Sequence, residues 1–341
     1  MLTLLKLKHD VWRTITNKRW EHGQRGHTEA SRQVAGKSKL LRKKASVQGR
    51  TGNHHRADQP LRVNLGQSLL AADRYPRLTA GVSLEASPMP WEEKRHGHNN
   101  TVCVVTGGNR GIGLGFVKAL LARPPVTVIA TVRNDQARTT LEDATVDLVK
   151  GDGAIWSIAQ LNFTTAHSPD QIRKAFDIDH VDVLINNAAA SSKSYPVLDI
   201  PADDIRSAIE INTIGPLTVT QGLWPLLKKS SAPKVVNVSS SVGCITYHEV
   251  VAGAYGPSKA TFNWITRALH QQNDDLIAFA LHPGFVNTEM GESAATEWGF
   301  PHAMLEGVEE VMKGSLGIID SATRENVSGK FVSYEGQELP W

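Results

Sequence analysis

From Thr101 onward, short apolar runs rich in β-branched residues alternate with longer stretches at helical spacing. Val102–Thr106 is the first such run, and Leu114–Leu121 behind it reads as a helix. Val126–Val132 is a second strand, followed by a polar helix from about Ala137 and an apolar run near Ile155–Leu161. Pro169 opens another helix, Val181–Ile185 is a fourth strand, and a long helical stretch covers about 203–227. Lys234–Val238, a helix over Ser258–Gln271, Leu276–Leu281 and Lys330–Tyr334 complete the series. Strands that are apolar on both sides, separated by helices, predict a parallel sheet covered on both faces: an α/β, doubly wound architecture. Right-handed crossovers then place any ligand beyond the strands' carboxyl ends. No internal repeat is visible.

Residues 1–98 lack this periodicity. They are rich in Arg, Lys, His, Gln, Ser and Gly, which bury too little apolar area to offset chain entropy, so a disordered basic extension is expected there. Charge divides the chain at the same place: residues 1–100 carry 19 Lys/Arg against 8 Asp/Glu, and the remainder 18 against 26. A mitochondrial-type leader, a nucleic-acid-binding arm and a membrane-surface tether all fit a basic segment, as does a tail with no role. The expectation is the tail, with no nucleic-acid or membrane partner. Met89, shortly before the first strand, is where the functional product is expected to begin. His54, His55, His96 and His98 have no carboxylate or cysteine to complete a metal site, and none is expected. Two cysteines, Cys103 and Cys244, exclude a disulfide scaffold and point to a reducing, cytoplasmic setting. No apolar run approaches the length of a membrane span. The expected layout is a single domain over 99–341 behind the extension.

Between the first strand and first helix lies Thr106-Gly107-Gly-Asn109-Arg110-Gly111-Ile112-Gly113. Glycines there let the chain turn sharply and bring its backbone against a pyrophosphate seated on a helix N-terminus, the requirement of a bound dinucleotide. The end of the second strand decides which dinucleotide. A carboxylate there accepts from a ribose 2′-hydroxyl, whereas this chain has Arg133 and then Asn134, with Arg110 in the glycine loop. Two guanidiniums suit a 2′-phosphate, so NADP(H) is expected, with Asp135 the one nearby acid.

Val235-Val-Asn-Val-Ser239-Ser240-Ser241 runs a strand into a serine cluster, and Tyr255-Gly-Pro-Ser-Lys259 opens a helix. Tyr255 and Lys259 share one helical face. Pro257 fits only in a first turn, which puts Tyr255 at the helix mouth. A phenol beside an ammonium is expected to have a lowered pKa and to exchange protons near neutrality, and a serine hydroxyl can hold a substrate oxygen.

Taken in order, the glycine motif, Asn186-Asn187-Ala188-Ala189, Asn212, the serine cluster, Tyr255 with Lys259, and Pro283-Gly284 resemble the short-chain dehydrogenases/reductases over about 101–341. Gly108–Gly115, Leu120–Pro124, Asn212–Leu217 and the ending Glu338–Trp341 resemble, within that family, the fungal ketoreductases of the norsolorinic acid type. The resemblance implies a Rossmann fold and an NADPH-dependent reduction of a hydrophobic ketone, a polyketide intermediate among the candidates, to a secondary alcohol. It implies Tyr255 as general acid and Lys259 as the group that lowers its pKa and holds the nicotinamide ribose. Ser240 would orient the carbonyl, and Asn212 would support a water leading to Lys259. Gly107, Asn109, Arg110, Gly111, Ile112, Gly113, Arg133, Asn162, Asn187, Ala188, Pro283, Val286 and Thr288 match positions around the cofactor. Ala189 replaces a usual glycine, and its methyl is expected to crowd the cofactor. Asn162 stands where an Asp is usual near the adenine, and weaker affinity is expected. Ser240 to Tyr255 spans 15 residues, slightly more than the family's usual interval, so Ser241 stays open as the carbonyl-orienting residue.

The segment near 285–304 is expected to cover a small hydrophobic carbonyl substrate. Met290, Trp298, Phe300 and Met304 there suit an apolar substrate or packing against the core or a partner subunit. Pairing through the helices near 203–227 and 258–271 into a homodimer or homotetramer is expected. NADP+-dependent oxidation of an alcohol, and a non-catalytic NADP(H) sensor on the same fold, remain open as alternatives.

Overall fold

The computed structural model describes residues 100–246, 248 and 250–341. The expected extension, its histidines and Met89 lie outside the described residues. An eight-stranded sheet runs in the order β3-β2-β1-β4-β5-β6-β7-β8. Its strands are β1 (Thr101–Val105), β2 (Val126–Val132), β3 (Ile155–Gln160), β4 (Val183–Asn186), β5 (Lys234–Val238), β6 (Ile277–His282), β7 (Phe331–Ser333) and β8 (Glu338–Leu339). All neighbours pair in parallel except the terminal β7–β8 hairpin, which sequence patterning did not anticipate. The order reverses between β1 and β4, so the crossovers from these neighbours leave in opposite directions and open a crevice at their carboxyl ends.

Each face of the sheet carries its own core, and the strands' alternation assigns residues to one or the other. Cys103 and Val105 face one way. They join Phe116, Val117, Leu120 and Leu121 of α1 (Gly111–Leu121), Leu141 of α2 (Asp135–Thr145), and Val311, Leu316 and Ile319 of α8 (Val308–Ser321). Val102 and Val104 face the other way, toward Ile172 of α3 (Pro169–Lys174) and Val219, Leu223 and Leu226 of α5 (Gly215–Leu227). The local sequence sets the helix starts. Asn134 caps α2 by accepting from the Ala137 amide, and Ser168 and Gln171 form a reciprocal capping box around Pro169.

Three boundaries differ from the sequence pattern. The first helix begins at Gly111, inside the glycine loop, rather than at Leu114. The fourth strand begins at Val183. The Val181 amide instead donates to the Leu226 carbonyl, and the Asp182 carboxylate accepts from Val102. The stretch near 203–227 is two helices, α4 (Ala202–Ile209) and α5, joined by a π turn over Glu210–Ile214. Such a turn inserts an extra residue into the helical ladder and re-aims the side chains in it. Here it carries Asn212. The remaining helices are α6 (Tyr255–Gln272) and α7 (Glu289–Trp298). No helix among the described residues is long and apolar enough to cross a membrane.

Leu223 is fully buried between α5 and the sheet. Leu223→Ala is expected to cost about 2–5 kcal/mol. A urea titration reads this as a lower midpoint at constant slope, and a shift well under 1 kcal/mol would contradict the packing described.

Candidate active site

The crevice at the β1/β4 reversal is a cleft of about 450 Å³. Its floor is the glycine loop. Gly107 and Gly111 adopt φ of 67° and 55°, where side chains are strained. A Cβ on Gly113 would collide with the Gly107 carbonyl oxygen. The Arg110 side chain makes no capping hydrogen bond to the start of α1, so that helix presents amides and the positive end of its dipole to the cleft. Thr106 ties the two central strands together. Its hydroxyl accepts from the amides of Asn187 (2.9 Å) and Ala188 (3.0 Å), while the Asn187 side chain donates to the Thr106 carbonyl (2.9 Å). Thr131, at the end of β2, accepts from the Gly107 amide (3.2 Å). Thr106 heads the glycine motif, but neither its role here nor that of Thr131 has a local signature, because each acts on a residue distant in sequence.

The wall continues through Arg133 and Asn162 to Ala188 and Ala189 on one side, and through Pro283, Thr288 and Met290 on the other. Asn109, Arg110 and Ile112 also line it, as does Asn187. Arg133 is exposed and has no acidic partner among the described residues. Arg110 pairs with Glu289, the first residue of α7. The Asn162 side-chain oxygen accepts from both the amide and the hydroxyl of Thr164, 3.0 and 2.9 Å away. Val286 is buried and absent from the wall, where the family resemblance had suggested it.

Tyr255 and Lys259 complete the wall from α6. The helix starts at Tyr255 with Pro257 in its first turn, as the spacing predicts. The Lys259 Nζ lies 5.5 Å from the Tyr255 ring centroid and donates to the Val238 carbonyl at 2.7 Å. Burial pushes the Lys259 amine down to about 7. It also pushes the Tyr255 phenol upward, opposite to the lowering expected from an adjacent ammonium. Desolvation outweighs the neighbouring amine because burial also draws that amine toward its neutral form.

Asn212 and Ser240 are not part of the wall. Asn212 is fully buried in the π turn. Its side chain exchanges two hydrogen bonds with the backbone of Ala190 (2.8 and 2.9 Å) and donates to the Ser258 hydroxyl (3.0 Å). It thus staples the loop after β4 to the first turn of α6. The three serines differ in commitment. The Ser239 hydroxyl, on the wall, hydrogen-bonds the Asn263 side chain at 2.5 Å. The Ser241 amide donates to His282, whose imidazole burial pushes down to about 4 and keeps neutral. Ser240 is half-buried, and its hydroxyl has no hydrogen-bond partner among the described residues.

Of the apolar residues in the covering segment, Met290 faces the cleft. Trp298 and Phe300 pack with Phe285 in a cluster with centroids 5.9–6.3 Å apart. The Trp298 indole donates to Ser194 (2.8 Å) and to the Val251 carbonyl (3.1 Å). These rings therefore pin α7 onto two neighbouring loops.

The family model for short chain dehydrogenases matches residues 101–298. The chain belongs to the short-chain dehydrogenase family. It is 35% identical over 252 residues to the short-chain dehydrogenase RED3 of Pyricularia oryzae, covering 71% of this chain and 99% of that one. It is 34% identical over 251 residues to the norsolorinic acid ketoreductase of Aspergillus parasiticus, covering 71% and 91%. Among solved structures it resembles the NADPH-bound carbonyl reductase from chicken fatty liver, at 28% identity and a TM-score of 0.60, covering 71% and 99%. As a short-chain dehydrogenase it is an oxidoreductase of nicotinamide-dependent type, acting on a small-molecule carbonyl or alcohol.

The buried Lys259 makes a pH prediction. Its amine titrates near 7 in the folded chain and near 10.5 when unfolded. Between these values the unfolded chain binds the additional proton, so stability rises with pH across that window, by up to about 1.4 kcal/mol per unit. Urea midpoints measured between neutral pH and about 9, below the range in which the raised Cys103 thiol acts in the opposite sense, should show this slope, and Lys259→Met should remove it. Equal slopes in the two proteins would contradict the burial described.

Proposed function

We propose that this short-chain dehydrogenase is an NADP(H)-dependent ketoreductase that converts a hydrophobic ketone into a secondary alcohol. The observation that carries the reading is that Tyr255 and Lys259 stand together in the wall of the cleft that the glycine loop opens. The residues present fit a dinucleotide: Gly107 and Gly111 turn the chain tightly at positive φ, and α1 begins at Gly111 without a side-chain cap. Arg133 and Arg110 would hold a 2′-phosphate, which favours NADP(H) over NAD(H). Asn162 would face the adenine. Ile112, Asn187, Ala188 and Thr288 would lie along the nucleotide.

When bound, the reduced nicotinamide supplies a hydride to the carbonyl carbon. The chain's part is to place and protonate the carbonyl oxygen. Desolvation holds the Tyr255 phenol above its usual value, so at neutral pH it carries the proton that it would give to a developing alkoxide. Lys259, fixed by Val238, would bind the ribose hydroxyls beside it. Ser240 would orient the carbonyl, with Ser241 the alternative; the Ser239 hydroxyl is already engaged with Asn263. Asn212 would act by holding the first turn of α6 rather than by touching substrate. Met290 supplies apolar surface for the substrate, and aromatic polyketide-type ketones are the first class to test. The exposed Trp264 on α6 and Ile214 beside α5 support pairing through these helices into a homodimer or homotetramer.

NADPH oxidation followed with a panel of aromatic ketones tests the mechanism. Tyr255→Phe is expected to lower turnover by about 100-fold or more, while NADPH affinity stays nearly constant. Turnover unaffected by the substitution would refute the role of Tyr255. NADPH binding with no turnover across the panel would favour a nucleotide sensor instead.

A further inference from the structure

We infer that Glu306 is a positioning residue that fixes the chain at Phe285–Thr288 against the nucleotide and so sets how tightly the nucleotide is held. The inference rests on the proposed nucleotide site.

After β6 the chain turns through Pro283 and Gly284, the latter at φ 84°. It then passes Phe285, Val286 and Asn287 to Thr288, which caps α7 by accepting from the Gly291 amide (3.2 Å). Glu306, at the far end of the covering segment, grips this stretch in two ways. Its backbone pairs with it: the Glu306 amide donates to the Phe285 carbonyl (2.7 Å), and the Asn287 amide donates to the Glu306 carbonyl (2.8 Å). Its carboxylate adds a separate hold. One oxygen accepts from the Phe285 amide (2.9 Å) and the other from the Tyr334 hydroxyl (3.1 Å). Tyr334 is in turn anchored to the end of β6 by its amide, which donates to the His282 carbonyl (2.8 Å). A Cβ on Gly284 would collide with the carboxylate, so the turn, the acid and the phenol form one fitted unit.

Beyond this unit the chain meets the cleft. Pro283, Thr288 and Met290 are on the wall, and the Thr288 side chain packs 3.4 Å from where a Gly111 Cβ would be. The carboxylate thus links Tyr334, just after β7, to the peptide whose direction decides where Thr288 stands relative to the glycine loop. Charge-assisted hydrogen bonds of this kind are short and strong, and an amide replacement retains only one acceptor oxygen.

Two readouts test this on the full chain: the Kd for NADPH, and amide hydrogen exchange over 285–292 without nucleotide. Glu306→Ala is expected to weaken NADPH binding about tenfold. It should also speed exchange in that stretch while β5 and β6 keep their protection. Glu306→Gln should recover part of both effects. KM for NADPH should rise more than kcat falls, since Tyr255 and Lys259 stay in place. If Glu306→Ala does not fold, Tyr334→Phe, which removes one hydroxyl, should give the same pattern at smaller amplitude. An unchanged Kd alongside normal wild-type binding would overturn this inference alone, as would faster exchange spread evenly over the sheet. Wild-type protein that binds no nicotinamide nucleotide would sink both this inference and the proposed function.

Discussion

The buried hydroxyl of Thr106 is the fastening on which the cleft depends. Parallel strands end with unpaired amides and carbonyls, and at the β1/β4 reversal no further strand lies between the departing loops to pair them. Thr106 accepts two amides from the chain leaving β4, and the Asn187 side chain donates back to the chain leaving β1. Each buried group left unmatched would cost about 1–3 kcal/mol, so the two loops are fixed relative to one another instead of splaying. Only with that separation fixed does the glycine loop have a reason to be tight: Gly113 must pass against the Gly107 carbonyl, where no side chain fits.

The other side of the cleft is held by polar groups placed inside apolar layers. Asn186 donates to Thr220 and to Asn237, and Asn237 donates to Thr266 on α6. Asn212 joins Ala190 to Ser258 one turn away from Tyr255. A purely apolar interface would let α6 slide or rotate with little penalty, whereas each of these bonds has one geometry that satisfies it. The π turn is what allows Asn212 to take part. It interrupts an otherwise regular helix so that a side chain reaches a backbone segment in the next layer.

What could be read from the sequence follows from this division. Strands β1 to β7, the glycine loop and the shared face of Tyr255 and Lys259 are local patterns that patterning recovers, whereas the two-residue β8 is too short to carry one. The parallel order followed from alternation of strand and helix. The π turn is invisible because its residues look helical. Val181 looks like strand because apolar residues at a strand's entrance and inside it are alike. The cause that excludes it is a hydrogen bond to Leu226. The lowered phenol was expected because a neighbouring lysine was assumed charged, and sequence does not show how deeply that lysine is buried. Glu306 has no local signature at all, since its partners Phe285 and Tyr334 lie 21 and 28 residues away.

The covering segment shows how strong and weak contacts are distributed around an entrance. At its base the Glu306 carboxylate and backbone hold Phe285 and Asn287. At the end of α7, Trp298 hydrogen-bonds to Ser194 and Val251 while its ring joins an aromatic cluster. At the start of α7 the contact is of another kind, an ion pair between two largely exposed side chains, Arg110 and Glu289. Exposed pairs are screened by solvent and contribute about 0–1 kcal/mol. Arg110 is therefore held lightly where it borders the glycine loop, and an anion entering the cleft displaces little to engage it. The firm contacts hold the two ends of the segment, and the weak one borders the glycine loop.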